Sequence, residues 1–130
     1  MARNGKQVVL IIDDDEAVQK AFARSLNRYP DLELLQAAKP SEAHTVLTQR
    51  IRDIDLIMID GNLGAEEING ADLSEEIIEA GYTGMMIATS SNNDLAAKMV
   101  RAGCRDAIDK SRVVMKVIDF LRLEIKRDGA

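Results

Sequence analysis

The sequence predicts an α/β fold, one sheet of five short parallel strands with helices on both faces. Three observations carry this. Short apolar runs alternate along the chain with stretches whose apolar residues recur at helical spacing. The runs end at polar or turn-forming residues, as strands do on emerging from a core. The run Leu56 to Ile59 is apolar at every position, which suits a strand buried on both faces, the situation inside a parallel sheet. Five strand–helix repeats need crossover helices on both faces, and right-handed crossovers leave few topologies open.

The first strand is Val8 to Ile12, stopped by Asp13, Asp14 and Asp15. Val18, Ala21, Phe22, Ser25, Leu26 and Tyr29 then mark a helix that starts near Glu16, is capped by Asp15 and stops before Pro30. Leu32 to Ala38 reads as the second strand. Ala43, Val46, Leu47 and Ile51 form the next helical stripe, opened by Pro40 and Ser41. The third strand ends at Asp60, and a loop rich in Gly and Glu runs from Gly61 to Gly70. Leu73, Ile77 and Ala80 mark a third helix closed by Gly81. Met85 to Ala88 is the fourth strand, ending in Thr89 and Ser90. Asp94 opens a short helix carrying Leu95, Met99 and Val100, and Gly103 ends it. Ala107 and Ile108 form a brief fifth strand leading to Lys110. Val114, Val117, Ile118, Leu121 and Ile125 line the last helix, with Lys116, Arg122, Lys126 and Arg127 left for solvent.

The totals agree with one domain over residues 1–130. A chain of 130 residues buries roughly two-thirds of the surface its unfolded form exposes. Apolar residues at 46% and charged residues at 30% fit an ordinary globular composition, and aromatics at only 3% leave the core to Leu, Ile, Val and Met. A net charge of -5 argues against a general nucleic-acid surface. Cys104 is the sole cysteine, which excludes an internal disulfide and reads as a small buried hydrophobe. The opening MARNGKQVVLII holds too short an apolar run for a signal peptide or a membrane span, so a cytoplasmic protein is expected. No linker or low-complexity tract appears, and no output domain is expected in this chain.

Parallel strands emerge on one edge, so Asp13, Asp14, Asp60, Thr89 and Lys110 are expected to meet there. Two carboxylates about 4 Å apart repel by roughly 4 kcal/mol at an effective dielectric near 20. A hard cation such as Mg²⁺ suits such oxygen ligands, and Lys110 adds a movable positive charge. A carboxylate beside a metal, a lysine and a hydroxyl is suited to covalent phosphoryl capture, with Asp60 as nucleophile forming an acyl phosphate.

VVLIIDDDEAV, DLIMIDGNLG, GMMIATSS and GCRDAIDKS, in that order and at this spacing, resemble the signature stretches of the response-regulator receiver domains of two-component signalling. The resemblance runs from Gln7 through the final helix. It implies a flavodoxin-like sheet of order 2-1-3-4-5 flanked by five helices. It implies that Asp60 is the phosphoacceptor and that Thr89 and Lys110 bind the phosphoryl group. It further implies that Asp14, Asp60 and the main-chain carbonyl of Asn62 hold Mg²⁺, with Asp13 acting largely through water. The implied donor is a phosphohistidine on a sensor histidine kinase or a histidine phosphotransfer protein. A downstream protein would be the receiver of the signal, and the last helices would serve it or a homodimer. No direct contact with nucleic acid or membrane is implied. The domain would catalyse only its own phosphorylation and dephosphorylation.

Several residues depart from the family pattern. Ala107 stands where many members carry Tyr or Phe, the aromatic that follows the hydroxyl residue in the active state. Ser111 replaces a proline commonly reached through a cis bond, and a cis bond before serine costs about 2.5 to 4 kcal/mol, so trans is expected. Gly64 replaces another frequent proline in a lengthened loop that contains Glu66 and Glu67. Asn62 and Ser91 flank the site where the family varies its hydrolysis rate. His44 sits in a helical pattern beside Ala43 with no acid or metal-ligand spacing around it, and no functional role is expected. Two other readings compete. A phosphatase resembling the haloacid-dehalogenase class would use Asp13 as nucleophile and Asp15 as acid/base, but Glu16-Ala17 follows where a small hydroxyl pattern belongs and no second acidic pair closes the site. A pseudo-receiver serving only as an interaction surface is disfavoured by the complete set Asp13, Asp14, Asp60, Thr89 and Lys110.

Overall fold

The computed structural model describes residues 6–63, 69–90 and 92–121. The elements alternate as β1 (Gln7–Ile12), α1 (Glu16–Leu26), β2 (Leu32–Ala37), α2 (Pro40–Arg50), β3 (Leu56–Asp60), α3 (Gly70–Glu79), β4 (Met85–Thr89), α4 (Asn93–Arg101), β5 (Asp106–Ile108) and α5 (Val113–Leu121), with a 3₁₀ turn at Lys110–Arg112 before α5. All strand pairs are parallel and the sheet order is β2-β1-β3-β4-β5. The flavodoxin-like arrangement of five strands and five helices is therefore the one the motifs imply.

Period-two alternation of side chains between two covered faces explains why Val8 to Ile12 of β1 and Leu56 to Ile59 of β3 are apolar at every position. Val8, Leu10 and Ile12 of β1 and Ile57 and Ile59 of β3 face one core with α2, α3 and α4. Val9 and Ile11 of β1 and Leu56 and Met58 of β3 face the other, against Phe22 and Leu26 of α1 and Val113 and Val117 of α5. Each fully buried side chain of this size contributes about 1.5–3 kcal/mol, so β1 and β3 anchor the molecule and their ends are held firmly.

Local signals set most element ends. The Asp15 carboxylate caps α1, accepting from the N–H groups of Ala17 at 2.9 Å and Val18 at 3.3 Å. Gly81 and Gly103 take φ of 100° and 126° after α3 and α4, a left-handed conformation in which glycine carries no Cβ penalty. No cis peptide bond occurs among the described residues, so the bond before Ser111 is trans.

Other ends differ from expectation. Asn92, not Asp94, caps α4, its side-chain oxygen accepting from the Leu95 N–H at 3.0 Å. The helix therefore begins one residue earlier. Val100 is 45% exposed and is not part of the apolar stripe, since Met99 supplies the buried contact. β2 ends at Ala37 and α1 at Leu26, one and three residues inside the outermost positions of the sequence pattern. Cys104 is buried, as expected. No helix of the described residues is long and apolar enough to cross a membrane. The expectations for Gly64, Glu66, Glu67, Ser91, Arg122, Ile125, Lys126 and Arg127 fall outside the described residues.

Candidate functional site

Strand register assembles the site. Ile12 pairs with Ile59, so Asp13 leaves β1 beside Asp60, and Asp60 pairs in turn with Thr89 on β4. Asp13, Asp60 and Thr89 are nearly inaccessible, at 1%, 5% and 3% exposure, whereas Asp14 is exposed. Lys110 enters from the turn after β5, and its Nζ lies 3.1 Å from Asp13 Oδ2 and 3.2 Å from Asp60 Oδ2. Asp13, Asp14 and Asp60 each offer a carboxylate oxygen, and these oxygens lie within 4.8 Å of one another. Three hard oxygen ligands this close suit a divalent cation.

Main-chain groups fix the two buried acids. The N–H of Asp15 donates to Asp13 Oδ1 at 2.9 Å, and the N–H of Asn62 donates to Asp60 Oδ1 at 3.1 Å. The N–H of Gly61 donates to the carbonyl of Thr89 at 2.9 Å, which ties the loop after β3 to the end of β4. Above them opens a cleft of about 740 Å³ lined by Asp14, Asp60, Asn62 and Lys110. Asp15, Asn69, Ser90, Asn92, Leu95 and Asp109 also line it. Ser90, Asn69 and Asp109 carried no expected role; Ser90 and Asp109 adjoin Thr89 and Lys110, whereas Asn69 comes from the N-cap of α3.

Gly70 is the close-approach glycine of the site. A Cβ there would collide with the Asp60 main-chain oxygen and stand 2.7 Å from Gly61 Cα. Those are backbone atoms, which cannot swing aside. Gly70→Ala is expected to lower stability by about 1–3 kcal/mol, the usual cost of overpacking, read by urea unfolding; an unchanged midpoint would show that the loop after Asp60 has room to move.

Burial, the largest influence, pushes the Asp60 carboxyl above its ordinary range, and the Asp13 charge adds to this. The Asn62 N–H and Lys110 pull the other way without cancelling it. Burial works against the Lys110 ammonium, yet the hydrogen bonds and charges of Asp13 and Asp60 hold its pKa above the ordinary lysine value. A carboxyl raised by folding contributes stability below its unfolded-state pKa and loses it as pH rises through the folded-state pKa. Ionised Asp60 is therefore a cost to the metal-free fold at neutral pH. Asp60→Asn is expected to raise the thermal midpoint at pH 7 and to give a smaller gain at pH 4. An equal gain at both values would contradict this origin.

His44 behaves differently from expectation in one respect. Its Nε2 lies 2.7 Å from Glu76 Oε1 of α3, an acid 32 positions away that no local spacing reveals. The pair spans a separate hollow of about 390 Å³ between α2 and α3, which includes none of the site residues.

Residues 9–121 match the family of response regulator receiver domains. The transcriptional regulatory protein ComA of Bacillus subtilis (strain 168) is 28% identical over 121 residues, covering 87% of this chain and 53% of ComA. The chain thus spans about half the length of that relative. Similar solved folds include the signal receiver domain of an HD domain-containing protein from Pseudomonas fluorescens Pf-5, with TM-score 0.78 and 19% identity over 90% of this chain and 92% of that one. A response regulator protein from Burkholderia pseudomallei with a phosphorylated aspartic acid, calcium ion and citrate gives TM-score 0.75 and 21% identity over 87% of this chain and 65% of that one. With the family match covering most of the sequence, and the sheet order and acidic strand ends in agreement, the chain belongs to the response regulator receiver domains of two-component systems.

Proposed function

We propose that this receiver accepts a phosphoryl group on Asp60 from a phosphohistidine of a sensor histidine kinase or a histidine phosphotransfer protein, and that the resulting acyl phosphate controls binding of a downstream protein. The observation that carries the reading is the Lys110 ammonium bridging buried Asp13 and Asp60 beside exposed Asp14. A carboxylate oxygen of Asp60 forms the new bond to phosphorus. The bond from phosphorus to the donor imidazole nitrogen breaks, and its electron pair leaves with that nitrogen. Lys110 neutralises charge on the phosphoryl oxygens, and the Thr89 hydroxyl, opposite Asp60 in the sheet, serves the same group. Hydrolysis of the acyl phosphate regenerates Asp60 and ends the signal.

Mg²⁺ is the proposed cation, held by Asp14, Asp60 and the main-chain carbonyl of Asn62, with Asp13 acting largely through water. When bound it supplies neutralisation of the transferring phosphoryl oxygens. The phosphorylated aspartate and calcium ion of the Burkholderia protein support the pairing of an acyl phosphate with a divalent cation. Ala107, which is only half-buried, offers no aromatic rotamer to follow Thr89. The likeness to ComA favours transcription as the process downstream. A cytoplasmic setting, a single receiver unit and a docking or homodimer surface on the last helices belong to the same proposal.

The test is incubation with acetyl phosphate and Mg²⁺ followed by intact-mass measurement. The wild-type chain is expected to gain one phosphoryl group, and Asp60→Asn none. Steady release of phosphate from a small phosphate ester, without Asp60 labelling, would instead favour the phosphatase chemistry of Asp13.

A further inference from the structure

We propose that Gln19 is a positioning residue for the cation and phosphoryl site, holding from α1 the peptide that joins Asp13 to Asp14; this rests on the function proposed above. Its Nε2 donates to three main-chain oxygens, those of Ala37 at 2.9 Å, Asp13 at 3.0 Å and Ile11 at 3.2 Å. An amide nitrogen carries two hydrogens, so one of them is shared between two carbonyls. The other end of the amide is engaged as well. Gln36 Nε2 donates to Gln19 Oε1 at 2.7 Å and to the Gln19 main-chain oxygen at 2.8 Å, which leaves the Gln19 NH₂ turned toward the strand ends.

These contacts meet where β1 and β2 stop pairing. The N–H of Asp13 donates to the Ala37 oxygen at 3.0 Å, and its carboxylate accepts from the Asp15 N–H and from Lys110. Gln19 secures the Asp13 carbonyl as well, so both the main chain and the side chain of Asp13 are anchored. Because the peptide is planar, fixing the Asp13 oxygen also fixes the nitrogen and Cα of Asp14. Asp14 is exposed, so its approach to a cation depends on the backbone that carries it. Gln19 touches neither cation nor phosphoryl group. It acts through the Asp13–Asp14 peptide.

Binding of Mn²⁺ alone to the full chain, followed by electron paramagnetic resonance of the free ion, tests this without phosphoryl transfer. Gln19→Leu is expected to weaken Mn²⁺ binding by about tenfold, the scale on which outer-shell partners of metal ligands act. A purely structural role is separated by Arg50→Ala, which breaks the Arg50–Glu33 and Arg50–Asp53 pairs at the opposite edge of the sheet. That variant is expected to unfold more readily yet bind Mn²⁺ as the wild type does. Wild-type affinity in Gln19→Leu, or an equal loss in Arg50→Ala, would overturn the proposal. Should Gln19→Leu not fold, Gln36→Ala at its exposed position carries the test, a smaller loss in the same direction supporting the role and unchanged affinity overturning it. A wild-type chain that binds no Mn²⁺ and gains no phosphoryl group would defeat the proposed function itself.

Discussion

Lys110→Met is expected to slow phosphoryl transfer to Asp60 by about 10²-fold, toward the lower end of the 10²–10³ lost when a preorganised charge-stabilising donor is removed. The lower end applies because the Lys110 side chain is 37% exposed, so water replaces part of its effect. Lys110 is nonetheless the cation that reaches both Asp13 and Asp60, at 3.1 and 3.2 Å. Without it the two buried acids face each other unneutralised, and the metal-free fold is expected to lose about 1–2 kcal/mol at pH 7, discounted for that exposure. Rates with a small acyl phosphate, together with urea unfolding, measure the two effects separately. A rate within about threefold of wild type would remove Lys110 from the proposed chemistry.

Asp14→Ala is expected to have the opposite profile, a large functional loss with little change in the metal-free fold. Asp14 is exposed at the mouth of the cleft and contributes no packing to either core. Outer partners of metal ligands already cost 10–100-fold in affinity, so loss of a ligand is expected to cost about 10²-fold or more. At tenfold excess over Kd a bound ion stabilises the folded chain by about 1.4 kcal/mol. Thermal melts with and without Mg²⁺ read this as an upward shift in the wild type and its near absence in Asp14→Ala. The same Mg²⁺-dependent shift in both proteins would exclude Asp14 as a ligand.

The fold and the acidic end of the sheet were legible because both rest on short-range physics. A strand segment buried on two faces is apolar at every position, as Leu56 to Ile59 of β3 are, and parallel strands deliver their ends to one edge. The strand order that sets Asp13, Asp60 and Thr89 side by side was implied by the resemblance of the motifs to receiver domains, not by alternation. The remainder depends on contacts that sequence spacing does not encode. Gln19 reads as an ordinary helical polar residue, and only the arrival of Ala37 from β2 gives its amide a third carbonyl. The His44–Glu76 pair needs α2 and α3 side by side. Asn92 and Asp94 are both suitable caps by residue type, and in the structure Asn92 takes the position. Val100 fits the helical stripe by spacing, but it is the Met99 side of α4 that faces Gly61, in the loop after β3, and Gly70 of α3.

The most direct measurement is peptide mapping of the chain after labelling with a phosphohistidine donor in the presence of Mg²⁺. Phosphorus on the peptide that contains Asp60, absent from the peptide that contains Asp13, is the predicted result. Label on the Asp13 peptide, or label persisting in Asp60→Asn, would contradict it.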